Sequence, residues 1–361
     1  MLERVVVYDT GQPLFQGNRI LDPVFAARFP GASFLPVLKG YLEEQDCTMM
    51  TADVFLADRN ANVEAFCLSE AVTPLIRRLI ERGVDPKVVL CGESPNVIPW
   101  FYHRLDTFIR PFRHAFLFRG FSSRVPTSVT FHPFLWPNSR DAMLEGPPWV
   151  ERGLLVMVVG NKGRYIIDPR KPFRSLVRAS INWSKWRYYR TLDPLFCFPD
   201  LYKARLDAIA HFCGRADFRL FGKGWEQKTM LVRRGKRLRF YTAPGECEDK
   251  IAIMAKFRFA LCFENCAFPG YVTEKIFDCL LAGCVPVYFG APDITDFIPK
   301  ECFIDFRDFR DFGELEKALR EFPEHEWDAK RQAIREFLSS NMFRSHRQES
   351  FASELAQCLL E

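Results

Sequence analysis

Residues 259–290 read FALCFENCAFPGYVTEKIFDCLLAGCVPVYFG. The run Phe259 to Phe263 is aromatic, apolar and bounded by polar and turn residues, which predicts a short buried strand. A loop carrying Pro269-Gly270 follows, then a stretch of helical period from Thr273 to Leu281, then a second strand from Val285 to Tyr288. Strand, loop, helix and strand in this order are the repeating unit of a parallel sheet. In such a sheet the crevice beyond the carboxyl ends of the strands takes ligands, and a helix amino terminus there offers N–H groups and positive dipole to a phosphate. Thr273, Glu274 and Lys275 fall in that first turn. A lysine opposes the dipole at this end, so an anionic ligand would supply the missing negative charge. Glu274 taken alone reads as an ordinary helix-start residue.

Outward from this stretch the same alternation recurs. Strands are predicted at Val5 to Tyr8, Asp53 to Ala57, Lys87 to Cys91, Ala115 to Phe118, Leu154 to Val159, Phe218 to Phe221 and Cys302 to Ile304. Helices are predicted at Leu75 to Arg82, Tyr202 to Phe212, Lys250 to Lys256, Leu315 to Phe322, Trp327 to Leu338 and Ser350 to Leu360. At 361 residues the chain suits two α/β domains. The Pro- and charge-rich interval Pro137 to Arg152 is the natural boundary. This divides the chain into an α/β domain at 1–150, a second α/β domain at 151–325 and a C-terminal helical segment at 326–361, the last expected to pack back across the junction.

Composition excludes several classes. Hydrophobic residues at 48% and charged residues at 26% match a folded globular chain rather than a disordered or fibrous one. The longest unbroken apolar run, Leu154 to Val159, is far below the ~20 residues that span a bilayer, and the amino terminus lacks the pattern of a secretory signal. A cytoplasmic protein is expected. The 12 cysteines are scattered through apolar segments and read as buried free thiols. Cys262 and Cys266 lack the partners of a zinc set, so no metal is expected. Net charge is only +5, but Arg170 to Arg190 holds seven Lys/Arg and no acid, interleaved with Phe173, Trp183, Trp186, Tyr188 and Tyr189. Such a stretch suits an anionic membrane surface, a lipid-linked glycan or a nucleic acid. Modest overall charge and the absence of a recognised RNA or DNA motif argue against nucleic acid.

The order Phe263-Glu264-Asn265, Tyr271-Val272-Thr273-Glu274-Lys275 and Ala282-Gly283 before Val285-Pro286-Val287 resembles the signature of the α-1,3-fucosyltransferase family, glycosyltransferase family 10. The resemblance implies the GT-B arrangement, two facing Rossmann-like domains, in a bacterial-like member without a membrane anchor. It further implies GDP-fucose as donor and a glycan as acceptor, with no cofactor. By position, Tyr271, Glu274 and Lys275 would line the donor site, Glu274 on ribose hydroxyls and Lys275 on the diphosphate, with Asn265 near the nucleotide.

Upstream, Tyr202-Lys203-Ala204-Arg205 and the segment Phe221-Gly222-Lys223-Gly224-Trp225 are similar to the family's Arg-bearing helix and its aromatic-Gly-basic-Gly-Trp motif. That would set Arg205 on the diphosphate, where guanidinium binds bidentately. In the first domain Gly92-Glu93-Ser94-Pro95-Asn96, after a strand, is similar to the family's Gly-Glu with a following Pro-Asn. This makes Glu93 the candidate general base of an inverting transfer. The lack of an Asp-x-Asp triplet agrees with basic side chains holding the diphosphate. A transferase for another nucleotide sugar is the rival enzyme reading.

Overall fold

The structure is a computed structural model that describes residues 2–58, 62–71, 73–161, 187–225, 230–233, 236–239 and 249–361, with single positions at 177, 184 and 245. Most of the basic stretch Arg170 to Arg190 therefore lies outside the described residues. The chain divides into two units, Met1–Arg140 with Asn341–Glu361, and Asp141–Ser340. Each carries a parallel sheet of the α/β class.

In the first unit the strands are β1 (Glu3–Asp9), β2 (Cys47–Thr51), β3 (Val63–Glu70), β4 (Asp85–Leu90), β5 (His114–Leu117) and β6 (Thr130–Pro133). Their order is β2-β1-β3-β4-β5-β6, and every pairing is parallel. Val5 to Tyr8 are buried without alternation, as expected of a strand covered on both faces. Chain order reverses between β1 and β3, so the ligand crevice of this sheet falls at their carboxyl ends. The helix Gln348–Leu360 belongs to this unit. Its Phe351 meets Phe34 of the helix Phe34–Glu43 edge-on at 5.0 Å and Phe116 of β5 at 5.7 Å. Backbone bonds from Asn138 N–H to the His346 carbonyl and from Gln348 N–H to the Asn138 carbonyl hold the returning chain.

In the second unit the strands are β7 (Gly153–Val158), β8 (Phe218–Phe221), β11 (Phe257–Phe263), β12 (Val285–Phe289) and β13 (Ile304–Asp305), in the order β13-β12-β11-β7-β8. Between β8 and β11, β9 (Met230–Arg233) and β10 (Lys236–Arg239) form a separate antiparallel pair. The core joins Leu155, Met157, Phe259, Leu261, Val285 and Val287 of the strands to Leu315, Leu319 and Trp327 of the helices that follow. Each such side chain contributes roughly 1.5–3 kcal/mol when fully buried. The helix Glu324–Leu338 belongs here, so the residues after 326 do not act as one segment: this helix and Gln348–Leu360 fall in different units. The boundary between Arg140 and Asp141 lies inside the Pro-rich interval. Its second part is built into the core, because buried Arg152 donates to the carbonyls of Pro147, Phe257, Gly283 and Glu145 and lies 4.9 Å from the Trp327 ring.

Several sequence expectations are corrected. The predicted strand Asp53 to Ala57 is the helix Ala52–Ala57. Here β2 ends at Thr51, whose N–H bonds to Asn18 Oδ1, and the Asp53 carboxylate takes the Gly17 N–H. Periodicity cannot separate helix from strand in so short an apolar run. The predicted strand Cys302 to Ile304 is a 3-10 turn, Lys300–Cys302, followed by the two-residue β13. The strands β2, β3 and β6 lacked a sufficient apolar signal, since Thr48, Glu64 and Thr130 point to solvent.

Candidate functional site

In the second sheet chain order reverses between β7 and β11, which places the crevice at their carboxyl ends. The loop after β11 returns as the helix Glu274–Leu281, whose first turn has no side-chain cap. Beyond that helix Gly283 adopts φ +60, and a Cβ there would come within 2.5 Å of the Leu144 carbonyl. Only glycine therefore closes the turn into β12. After β8 a second glycine, Gly222, runs at φ +132 against the Val159 backbone. This packs Gly222 to Trp225 onto the end of β7: Trp225 Nε1 donates to the Val159 carbonyl at 2.6 Å, and Asn161 Nδ2 to the Gly224 carbonyl at 3.0 Å.

Arg205, in the helix Tyr202–Phe212, is 3% exposed. Its Nε and Nη2 donate to the Phe263 carbonyl at 2.9 and 2.6 Å, and its guanidinium lies 4.9 Å from the Tyr202 ring. Among the described residues no carboxylate pairs with it. An arginine so deeply buried without an acid is costly unless an anion completes the site.

Lys275 is placed differently. Its Nζ donates to Thr273 Oγ1 at 2.7 Å and lies 3.1 Å from Glu264 Oε2 and 3.2 Å from Glu274 Oε1. Burial pulls the ammonium toward neutrality, but the Glu264 and Glu274 carboxylates prevail and hold its pKa above the ordinary range. Burial works against the Glu274 charge as well, yet Lys275 and Lys250 bring that carboxyl down to about 2. Lys275 is therefore a paired cation rather than a free one, and Arg205 lies close enough to bear on it electrostatically.

Tyr271 is buried and its hydroxyl accepts from Asn265 Nδ2 at 2.9 Å. The Asn265 carbonyl accepts from Leu201 N–H, which joins this loop to the start of the Arg205 helix. Asp293 takes the Gly270 N–H at 2.9 Å. The structure thus brings Arg205, Asn265, Tyr271, Glu274 and Lys275 to one sheet end.

Glu93 lies in the other unit, exposed just beyond β4. Its Oε1 accepts the Ser94 N–H at 2.7 Å, and its carbonyl accepts the Tyr102 hydroxyl at 2.9 Å, which fixes the loop while leaving the carboxylate open.

Three groups escaped the sequence reading. Glu264, wholly buried, accepts Thr273 N–H and hydroxyl at 2.9 Å and so sets the start of the helix as well as Lys275. Lys250 pairs with buried Asp278 at 2.5 Å. At the crevice of the first sheet, burial raises the carboxyls of Asp9 and Glu70. Hydroxyls of Thr73 and Ser69 offset this for Asp9, and those of Tyr8 and Thr10 for Glu70. Glu70 pairs in register with Leu90, three residues before Glu93. The available signal was a carboxylate at the last residue of a strand, and it was unreadable where the strand itself went unrecognised. Among the described residues the cysteines form no disulfide and all but Cys197 and Cys213 are buried, and among these residues no helix is long and apolar enough to cross a membrane.

Residues 203–358 match the family model for the C-terminal part of glycosyltransferase family 10 (fucosyltransferase). A putative fucosyltransferase-like protein of Arabidopsis thaliana is 28% identical over 148 residues, covering 39% of this chain and 27% of the relative. An α-(1,3)-fucosyltransferase of Helicobacter pylori is 41% identical over 68 residues, 19% of this chain and 14% of its own. The match thus spans about a quarter or less of the length of these relatives. A crystal structure of an α1,3-fucosyltransferase aligns over 99% of this chain and 91% of its own with 14% identity and a TM-score of 0.49. Over residues 203–358 the chain is thus similar to the C-terminal part of glycosyltransferase family 10.

Proposed function

We propose that this protein is an inverting fucosyltransferase that moves L-fucose from GDP-fucose to a hydroxyl of a glycan acceptor, in an α-1,3-type linkage. The observation that carries the reading is Arg205, a buried guanidinium at the carboxyl end of β11 without a carboxylate partner among the described residues. Beside it stand an uncapped helix start and the Lys275 ammonium. A diphosphate supplies the anion such a set lacks, with the guanidinium and the first-turn amides as donors. Glu274, held ionised, accepts from ribose hydroxyls, and the bond between Asn265 and Tyr271 shapes the loop around the nucleotide.

The reaction is a single displacement. The acceptor oxygen bonds to C1 of fucose as the bond from C1 to the β-phosphate oxygen breaks, and inversion turns the β-linked donor into an α-fucoside. The acceptor proton passes to Glu93, whose open position on its loop suits an incoming sugar. Charge grows on the departing GDP, and Arg205 and Lys275 stabilise it more strongly there than in the intact donor. The diphosphate is held by basic side chains and amides, with no cofactor.

The test is transfer from GDP-fucose to a glycan panel, with product linkage read by NMR. An α-linked fucose and one GDP per transfer are expected. Transfer from a UDP-sugar but not from GDP-fucose would reassign the donor, and hydrolysis or transfer of no nucleotide sugar would end the proposal.

A further inference from the structure

In the first unit the returning helix Gln348–Leu360 packs against β5 and the edge strand β6. The register pairs His114 with Thr130 and Phe116 with His132. Residues two apart in a strand share a face, so His114 and His132 lie on the same side of the sheet. Their ring nitrogens, His114 Nδ1 and His132 Nε2, are 3.1 Å apart. From the helix, Cys358 sets its Sγ 3.8 Å from the same His132 Nε2, and the three donor atoms all lie within 4.8 Å of one another. One turn earlier on the same helix face, Glu354 Oε1 is 2.9 Å from His132 Nδ1. The Phe116 ring stacks on His132 at 4.5 Å and 11°, which fixes the imidazole plane.

We infer that His114, His132 and Cys358 form a binding site for one divalent cation of the zinc type, which fastens the helix Gln348–Leu360 to the edge of the sheet. Bond lengths of about 2.05 Å to nitrogen and 2.3 Å to sulfur in a tetrahedral site require donor separations of about 3.3 Å between nitrogens and 3.6 Å between nitrogen and sulfur. The observed 3.1 and 3.8 Å sit within a few tenths of an ångström of both. Glu354 acts as the orienting partner: a carboxylate must receive a proton from Nδ1, which turns the lone pair of Nε2 toward the cluster. Imidazole with a thiolate favours a borderline-soft ion over magnesium or calcium, which prefer oxygen. A fourth position remains for water or for Glu361, which bears electrostatically on His114. Binding displaces the Cys358 proton to solvent, so the thiolate formed meets the charge of the cation.

The probe is Co2+ titrated into the purified 361-residue chain and then displaced by Zn2+. One Co2+ per chain is expected, with a near-ultraviolet thiolate-to-cobalt band, the visible bands of four-coordinate cobalt, and a Tm raised by Zn2+. Cys358→Ser should lose the thiolate band, and Glu354→Gln should keep it while binding about 10- to 100-fold more weakly. Should Cys358→Ser not fold, His114→Asn at its half-buried strand end reads the same loss of affinity. A folded wild-type chain without a thiolate band at saturating Co2+, or a band that survives in folded Cys358→Ser, would overturn the assignment.

Discussion

Glu264 and Lys275 are paired at 3.1 Å, with the carboxylate fully buried at the end of β11 and the ammonium in the first turn of the following helix. The same carboxylate also holds the Thr273 N–H and hydroxyl. One side chain thus decides where the helix begins and where its lysine points. Breaking a buried pair by removing one partner costs about 3–5 kcal/mol where both ions are dry, and less here because the lysine keeps some solvent. Glu264→Gln should lower stability by roughly 2–4 kcal/mol, read as a shifted denaturant midpoint with an unchanged slope. An unaltered midpoint would show that the helix start does not depend on this carboxylate.

Arg205 and Lys275 are expected to act on the nucleotide with different signatures. A charge-assisted hydrogen bond contributes about 1.5–3 kcal/mol, or roughly 10- to 100-fold in affinity. Lys275→Ala should weaken GDP binding toward the lower end, since two carboxylates already share the ammonium. Arg205→Lys should weaken it more, because a point charge cannot bond the Phe263 carbonyl and a phosphate in the same geometry. Calorimetric titration of GDP into folded variants decides this, and equal affinity in both would remove the diphosphate from this sheet end.

Glu93→Gln keeps the shape of the side chain and removes its basicity. Transfer should fall by about 10²–10⁴-fold in kcat, the usual contribution of a general base. GDP affinity should stay within about twofold, since no nucleotide contact is assigned to this residue. A variant that transfers at the wild-type rate would assign the proton to another group, with Glu70 on the neighbouring strand end the next to substitute.

Stability should fall on acidification in two stages. Burial pushes His346 down to about 4 from its ordinary 6.5. Between these values the unfolded chain binds a proton that the folded chain does not, so stability is full above pH 6.5 and is lost as pH falls toward 4, by roughly 3 kcal/mol. Glu274, lowered from 4.5 to about 2, adds a loss as pH falls between those values. Denaturation midpoints across pH 2–8 test this: His346→Gln should flatten the upper stage alone, and a slope there equal to wild type would show that the imidazole is not the group responsible.

Some of this was legible in the residues alone. The strand and helix signals between Phe259 and Gly290 depend on local spacing. Lys275 at a helix start announced itself through a conflict with the helix dipole, which is also a local quantity. The run at Asp53 misled because four apolar residues, Val54 to Ala57, suit a helix as well as a strand. Deciding between them fell to Asn18 and Gly17, which meet the segment only in the folded chain.

By itself, then, the sequence determined the α/β class, the strand–loop–helix unit and the residue types gathered after β11, since all of these follow from backbone preference and periodicity within a few turns. Tertiary structure alone decided that Lys275 is shared between Glu264 and Glu274, that Arg205 is buried on the Phe263 carbonyl with no acid paired to it among the described residues, and that Cys358 reaches His132 across more than half the chain. Charge compensation and donor geometry are set by distances in space, and the order of residues along a chain does not contain those distances until packing creates them.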